Sequence, residues 1–152
     1  MLERLRELPK FDSLKRFLDA ILEERGDRIL SIVLFGSMAK GNYTKYSDYD
    51  LLIVVSKEEL NFKDRIYEYS MPSDGWVEPL VYTKEETETM LEELHPLLLN
   101  SLKDGISIYD KGFWKQLKAK FDRLIERGIV TPKEGGWIIH QSAKRAHETD
   151  AF

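Results

Sequence analysis

Hydrophobic and polar positions are grouped along the chain in blocks that predict helices interleaved with strands. Apolar residues recur at helical spacing from about residue 11 to residue 24, which predicts an amphipathic helix between Pro9 and Gly26. The runs Ile29–Phe35 and Leu51–Val55 are short, almost wholly apolar and rich in β-branched residues, as is typical of buried strands. Two buried strands soon after one helix indicate a layered domain.

The middle of the chain continues this alternation. Trp76 to Tyr82 is predicted to be a third strand, in which Pro79 favours an edge position or a bulge. Thr83 followed by Glu86 forms a capping-box pattern that predicts the start of the next helix. Further elements are a partly helical stretch at 57–70, a short helix at 97–103, a possible fourth strand at 106–109 and a helix at 113–127.

The pattern becomes harder to interpret after Gly128. Thr131 and Pro132 favour a helix start, although Gly135 and Gly136 follow at once. We therefore divide the chain into a domain at 1–128 and an unassigned C-terminal tail at 129–152 in which a helix is expected. The predicted fold class is α/β (α+β), with a mixed sheet of about three to four strands flanked by helices.

Composition narrows the possible functions. The 152 residues have a formal net charge of −4, which argues against general nucleic-acid binding. The absence of cysteine excludes disulfides and thiolate metal sites and favours a reducing, cytoplasmic location. No run approaches the roughly 20 apolar residues of a membrane span, so we expect no membrane association.

Gly36 and Ser37 stop the first predicted strand in a way that suits a bound phosphate. A strand that ends at Gly-Ser exposes backbone amides and one hydroxyl, and a helical turn beginning there would add further amides for an anion. Gly36 lets the backbone approach a phosphate closely, and Gly41 permits a sharp return of the chain.

Asp48 and Asp50 lie at the start of the second strand, and ten residues separate Ser37 from Asp48. Residues two apart on a strand point to the same face, about 6.6 Å apart along the chain. Carboxylates at that distance raise each other's pKa unless a cation lies between them. Hard oxygen ligands without a neighbouring His or Cys suit Mg²⁺ or Mn²⁺. Each motif alone is most often an ordinary turn or strand end, but their combination indicates a site for a metal-bound triphosphate.

The run from Gly36 to Gly41, followed by Ser47-Asp48-Tyr49-Asp50-Leu51, resembles the DNA polymerase β-type nucleotidyltransferase superfamily. It is similar in particular to the minimal nucleotidyltransferases of archaea and bacteria, many of which are antitoxins paired with HEPN-domain toxins. The resemblance implies a polymerase-β-like fold and transfer of a nucleoside monophosphate, often AMP from ATP, to an acceptor hydroxyl.

The resemblance also implies roles for individual residues. Asp48 and Asp50 would bind the metal, and the family expects a third acid on a following strand, for which Glu78 is the candidate. Glu78 replaces the more usual Asp and would serve as metal ligand and general base. The expected nucleotide-binding residues are Gly36, Ser37, Lys40 and Ser47.

The expected function is thus Mg²⁺- or Mn²⁺-dependent adenylyl transfer from ATP to a HEPN toxin, which would make the chain an antitoxin. Two alternatives remain open. The chain could be a catalytically silent antitoxin or interaction module that binds its partner by contact, or it could modify a small molecule such as an aminoglycoside.

Overall fold

The computed structural model describes residues 2–150, and most elements begin and end close to their predicted positions. A 3₁₀ turn at Leu2–Leu5 precedes them. The helices are α1 (Phe11–Arg25), α2 (Ser37–Lys40), α3 (Phe62–Ser70), α4 (Lys84–Glu92), α5 (Pro96–Asp104), α6 (Phe113–Glu126) and α7 (Gln141–Asp150). The strands are β1 (Ile29–Phe35), β2 (Tyr49–Val55), β3 (Val77–Thr83), β4 (Ile106–Asp110), β5 (Val130–Lys133) and β6 (Gly136–Ile139).

Four of the strands form one mixed sheet in the order β3-β2-β1-β4. β1 pairs antiparallel with β2 and with β4, whereas β2 and β3 are parallel. The parallel pair needs a crossover connection, which α3 supplies. The predicted fold class, a mixed sheet of about three to four strands flanked by helices, is confirmed.

Each face of this sheet carries its own hydrophobic core, because side chains alternate between the two faces along a strand. On one face Leu51 of β2 belongs to a cluster with Leu14 and Phe17 of α1. On the other face Leu52 belongs to a cluster built from α4, α5 and α6, which includes Leu98. None of the helices in the described part of the chain combines the length and the apolar character that crossing a bilayer requires.

Two local predictions near β3 are confirmed. β3 is an edge strand, as Pro79 suggested. The Tyr49 amide donates to the Trp76 carbonyl at 2.8 Å, so by alternation the position where Pro79 lacks an N–H points away from β2 and no sheet bond is lost. Thr83 caps α4 in a complete capping box with Glu86.

The predicted helix start at Thr131 is wrong. Residues 130–139 form the hairpin of β5 and β6, and the C-terminal helix begins only at Gln141. Gly135, with a φ of 78°, forms the tight turn between the two strands. This turn prevails over the helix-start signals of Thr131 and Pro132. Val130 is buried in the core that α4, α5 and α6 form against the sheet, so the hairpin packs on the domain. The domain boundary at residue 128 stays a prediction.

Candidate functional site

Gly36 joins β1 to the single turn of α2 in a conformation that only glycine adopts readily. Its φ of 75° and ψ of −158° fall in a region that is essentially closed to residues with a side chain. A β-carbon at this position would meet the Asp50 carboxylate, with the Asp50 Cγ only 3.3 Å away. The Gly36 carbonyl accepts bonds from the amides of Ala39 and Lys40, each at 3.1 Å. Gly36 therefore both turns the chain and leaves room for a carboxylate.

The sheet register brings two predicted site residues side by side. Asp50 is the partner of Phe35 on β1 and of Glu78 on β3. Neighbouring strands lie about 4.8 Å apart, and register partners share a face of the sheet. Asp48 lies one residue before β2, two residues from Asp50. The third carboxylate that the sequence could only nominate therefore stands beside Asp50.

The charges of these three acids interact. Partial burial raises the pKa of the Asp50 carboxyl from 3.8 to about 6, and the negative charges of Glu78 and Asp48 add to the shift. Among residues 2–150, none of the three acids forms an ion pair with a Lys, Arg or His side chain. A cation at this point would relieve both the burial penalty and the repulsion.

The three carboxylates do not converge as ready-made metal ligands. In the part of the chain that the structure describes, no group of three or more Asp, Glu, His or Cys side chains is arranged to hold a metal ion. Repulsion between like charges opposes a closer approach. Glu78 is exposed on the edge strand, as the register partner of Asp50. Hard carboxylate oxygens and the raised pKa of Asp50 fit a divalent cation, and the assignment of Asp48, Asp50 and Glu78 as its ligands stays a prediction.

The remaining predicted residues lie around this cluster. Ser37 is the first residue of α2, directly after Gly36, and the side chain of Lys40 is exposed at the end of the same turn. The Ser47 hydroxyl accepts a hydrogen bond from the Thr44 amide at 2.9 Å, so it shapes the turn before Asp48. The nucleotide-binding roles of these residues also stay predictions.

The structure adds two residues at the amino ends of β2 and β3 that sequence reasoning had not singled out, Lys10 and Trp76. The Lys10 ammonium contacts residues at the entrances, that is the amino ends, of both β2 and β3. It donates to the Ser47 carbonyl and lies over the Trp76 ring. Nothing in the spacing of the N-terminal residues indicates this contact, which depends on how α1 packs across the sheet.

Two concave surfaces lie elsewhere on the domain. One, of about 740 Å³, is bordered by α4, α6 and α7, and the other, of about 660 Å³, lies between α3 and α4. Neither is lined by Asp48, Asp50 or Glu78. We place the candidate site at the carboxylates because the charge interactions and the glycine geometry converge there.

Comparison with known proteins shows the family to which the chain belongs. The profile described as "Nucleotidyltransferase domain" matches residues 14–109. A candidate protein adenylyltransferase of Methanocaldococcus jannaschii is 30% identical over 140 residues, covering 83% of this chain and 91% of that protein.

Solved structures share the fold. A candidate nucleotidyltransferase from Sulfolobus solfataricus superposes with a TM-score of 0.50 at 24% identity, over 66% of this chain and 79% of that chain. A toxin–antitoxin crystal structure with AMP-PNP gives a TM-score of 0.51 at 14% identity, over 89% of this chain and 95% of the matched one. The profile match, which spans more than half of the chain, and the extent of the archaeal match show that this protein belongs to the nucleotidyltransferase domain family.

Proposed function

We propose that the protein transfers AMP from ATP to a hydroxyl group of a partner protein, with Mg²⁺ or Mn²⁺ as cofactor. The observation that carries the proposal is the placement of Asp50 beside Glu78, close to Asp48 and against a glycine that leaves space for the Asp50 carboxylate. A nucleotidyltransferase needs such a group of acids beside a loop that can hold phosphates.

Each part of the site has a chemical task in this proposal. Gly36 and Ser37 would hold the triphosphate through backbone amides and the serine hydroxyl. Asp48, Asp50 and Glu78 would hold the divalent ion, which when bound supplies positive charge to stabilise the attacking and leaving oxygens. The protein's own contribution is then to position the reactants.

The proposed reaction is an in-line displacement at the α-phosphorus of ATP. The acceptor oxygen forms a bond to this phosphorus, the bond to the bridging oxygen breaks, and pyrophosphate leaves with that electron pair. The acceptor hydroxyl must lose its proton, and the exposed carboxylate of Glu78 is placed at the edge of the sheet where an acceptor can approach. Glu78 is therefore the proposed general base.

The nature of the acceptor is supported by the relatives. The archaeal relative is named a candidate adenylyltransferase of proteins. A structure of the same fold is a toxin–antitoxin complex with AMP-PNP, an analogue of ATP. We propose a HEPN-type toxin as the acceptor, so that adenylyl transfer silences the toxin and the chain acts as its antitoxin.

The test is transfer of labelled AMP from ATP to a co-expressed HEPN-domain toxin, followed by mass spectrometry of the toxin. Wild type should add AMP in the presence of Mg²⁺, and the double variant Asp48→Asn with Asp50→Asn should not. Asp27→Asn, an exposed aspartate at the turn before β1, is the matched control and should transfer normally.

Each alternative corresponds to a different outcome. Binding of ATP and of the toxin without transfer would favour a silent interaction module. Transfer to an aminoglycoside but to no protein would favour a small-molecule enzyme. Equal ATP affinity with Mg²⁺ and with a chelator would count against the predicted carboxylate–metal site.

A further inference from the structure

We propose that Pro9, Lys10, Ser13 and Arg16, at and just before the start of α1, position the carboxylates by holding the amino ends of β2 and β3 at a fixed distance, and that Lys10 is the principal positioning residue. The role in transfer rests on the function proposed above. The link itself is a property of the fold and can be measured without catalysis.

Lys10 joins the two strand entrances through a single ammonium group. Its Nζ donates to the Ser47 carbonyl at 3.2 Å and lies 3.2 Å from the centroid of the Trp76 ring. Ser47 immediately precedes Asp48, and Trp76 lies two residues before Glu78. A hydrogen bond and a cation–π contact thus connect the chain segments that carry two of the three acids.

Other residues at the start of α1 and just before it also make contacts on the side of each strand. Tyr49, which lies between Asp48 and Asp50 in the sequence, donates from its hydroxyl to the Pro9 carbonyl at 2.7 Å. On the side of β3, Ser13 Oγ and Arg16 Nη2 both donate to Asp74 Oδ2, at 2.7 and 2.9 Å. Asp74 in turn accepts from the Trp76 amide at 3.3 Å. The same short segment therefore binds both entrances.

The backbone of Lys10 is strained. Its φ of 59° and ψ of 29° are left-handed, a conformation unfavourable for residues other than glycine. Strain of this kind persists where surrounding contacts fix it, and it collects at functional sites. Glycine would adopt this conformation with less strain, so the presence of lysine points to a role for its side chain.

The need for such a link follows from the chemistry of the site. Asp48 and Trp76 precede the strands, and the mutual repulsion of the acids favours their separation. In-line transfer tolerates little displacement of the reacting groups. A contact that ties both entrances to α1 would preserve their spacing when the carboxylates are charged.

Lys10→Met tests the proposal through the sign of its effect on Mn²⁺ binding. A cation repels Mn²⁺, so loss of the Lys10 charge alone would leave Mn²⁺ binding unchanged or strengthen it, whereas loss of a positioning contact would weaken it. We expect Mn²⁺ affinity, measured by calorimetry in the presence of AMP-PNP, to fall several-fold. We also expect kcat for AMP transfer to fall about 10–100-fold with little change in KM for ATP.

Three further variants separate positioning from folding. Lys10→Arg keeps the donor and the cation–π contact and should restore most of the Mn²⁺ affinity. Lys10→Gly removes the side chain and relieves the backbone strain, so it should remain folded and still show the loss. Lys15→Met, on the exposed side of the same helix, should behave as wild type.

Unchanged or tighter Mn²⁺ binding in folded Lys10→Met or Lys10→Gly would overturn the positioning role. If wild type transfers no AMP to any acceptor, the proposed function fails separately, while weaker Mn²⁺ binding in the Lys10 variants would still support the structural link. Loss of binding that Lys10→Arg fails to restore would also contradict the proposal, because arginine retains both contacts.

Discussion

The carboxylates at the two ends of the parallel strands β2 and β3 differ in whether they have basic partners. At the carboxyl end Glu58 accepts from the Tyr69 hydroxyl at 2.8 Å and from Arg28 at 3.2 Å, and Glu86 accepts from Arg65 at 2.6 Å. At the amino end, within residues 2–150, the three candidate site acids have no basic partner.

The pKa values follow this difference. Burial tends to raise the pKa of Glu86, but the bond from Arg65 and the bond from the Thr83 amide outweigh it and lower the pKa. Burial raises the pKa of Asp50 as well, and there Glu78 and Asp48 add to the rise. Paired carboxylates stabilise the fold, whereas unpaired ones reduce its stability and fit a site that receives a cation from outside.

The largest expected effect lies at the amino end, in Glu78→Gln. A glutamine cannot accept the proton of the acceptor, so we expect AMP transfer to fall about 10²–10⁴-fold. ATP affinity should change far less, since Asp48 and Asp50 remain. Transfer of labelled AMP is compared with Glu59→Gln, a matched change at an exposed glutamate after β2. Full activity in Glu78→Gln would show that another acid acts as the base.

At the carboxyl end, Arg65→Met should mainly affect stability. The Arg65 side chain is 8% exposed, and it also donates to the Leu60 carbonyl at 2.7 Å. Arg65→Met removes the donor to the Leu60 carbonyl and the cation beside Glu86, which is 43% exposed, so we expect the free energy of unfolding to fall by about 3 kcal/mol, mostly through lost hydrogen bonds. Urea denaturation measures it, and Lys15→Met, which breaks an exposed pair, should change it by no more than about 0.5 kcal/mol. Similar small losses in both variants would show that the Arg65–Glu86 pair stabilises the fold no more than an exposed ion pair does.

Features of these two ends could be predicted from the sequence where the residues that determine them lie close together in the chain. The Gly36-Ser37 turn, the Asp48–Asp50 pair and the capping box at Thr83 lie within short stretches of sequence, and the structure has the turn, the spacing and the cap as expected. The pairing of Asp50 with Glu78 depends on parallel strands that a crossover separates, so the sequence could nominate Glu78 but not its neighbour.

Long-range packing explains the remaining differences. Lys10 meets Ser47 and Trp76 only because α1 crosses the sheet, and no periodicity encodes that contact. The hairpin at 130–139 did have a local signal, since Glu134-Gly135 separates two runs suited to strands. The helix-start residues Thr131 and Pro132 obscured it.

A smaller loss is expected from Gly36→Ala, which tests whether the amino end needs its open space. Any side chain here meets unfavourable backbone angles and the Asp50 carboxylate. We expect about 2 kcal/mol of lost stability and loss of ATP binding. Gly135→Ala is the control, because Gly135 has a similar φ of 78° and no atom within 4 Å of an added β-carbon, so about 1 kcal/mol should suffice there. Equal losses would mean that contact with Asp50 contributes nothing.

The smallest effect, and the one of opposite sign, is expected from Asp50→Asn without divalent ions. A folded-state pKa of about 6 lies above the ordinary value of 3.8, so ionised Asp50 destabilises the fold above pH 6, and this penalty disappears as the pH falls towards 4. Two pKa units would correspond to about 3 kcal/mol, but Asp50 is only half-buried, and solvent screening reduces the expected gain in Asp50→Asn to about 1 kcal/mol at pH 7.5. Glu86→Gln should do the reverse: the lowered pKa of Glu86 means that its stabilisation is present above pH 4.5 and is lost as the pH falls further. Urea denaturation in chelator at pH 7.5 and pH 4 measures both variants. If Asp50→Asn destabilises the protein at pH 7.5, Asp50 has a structural role and the two ends of the strands do not differ as proposed.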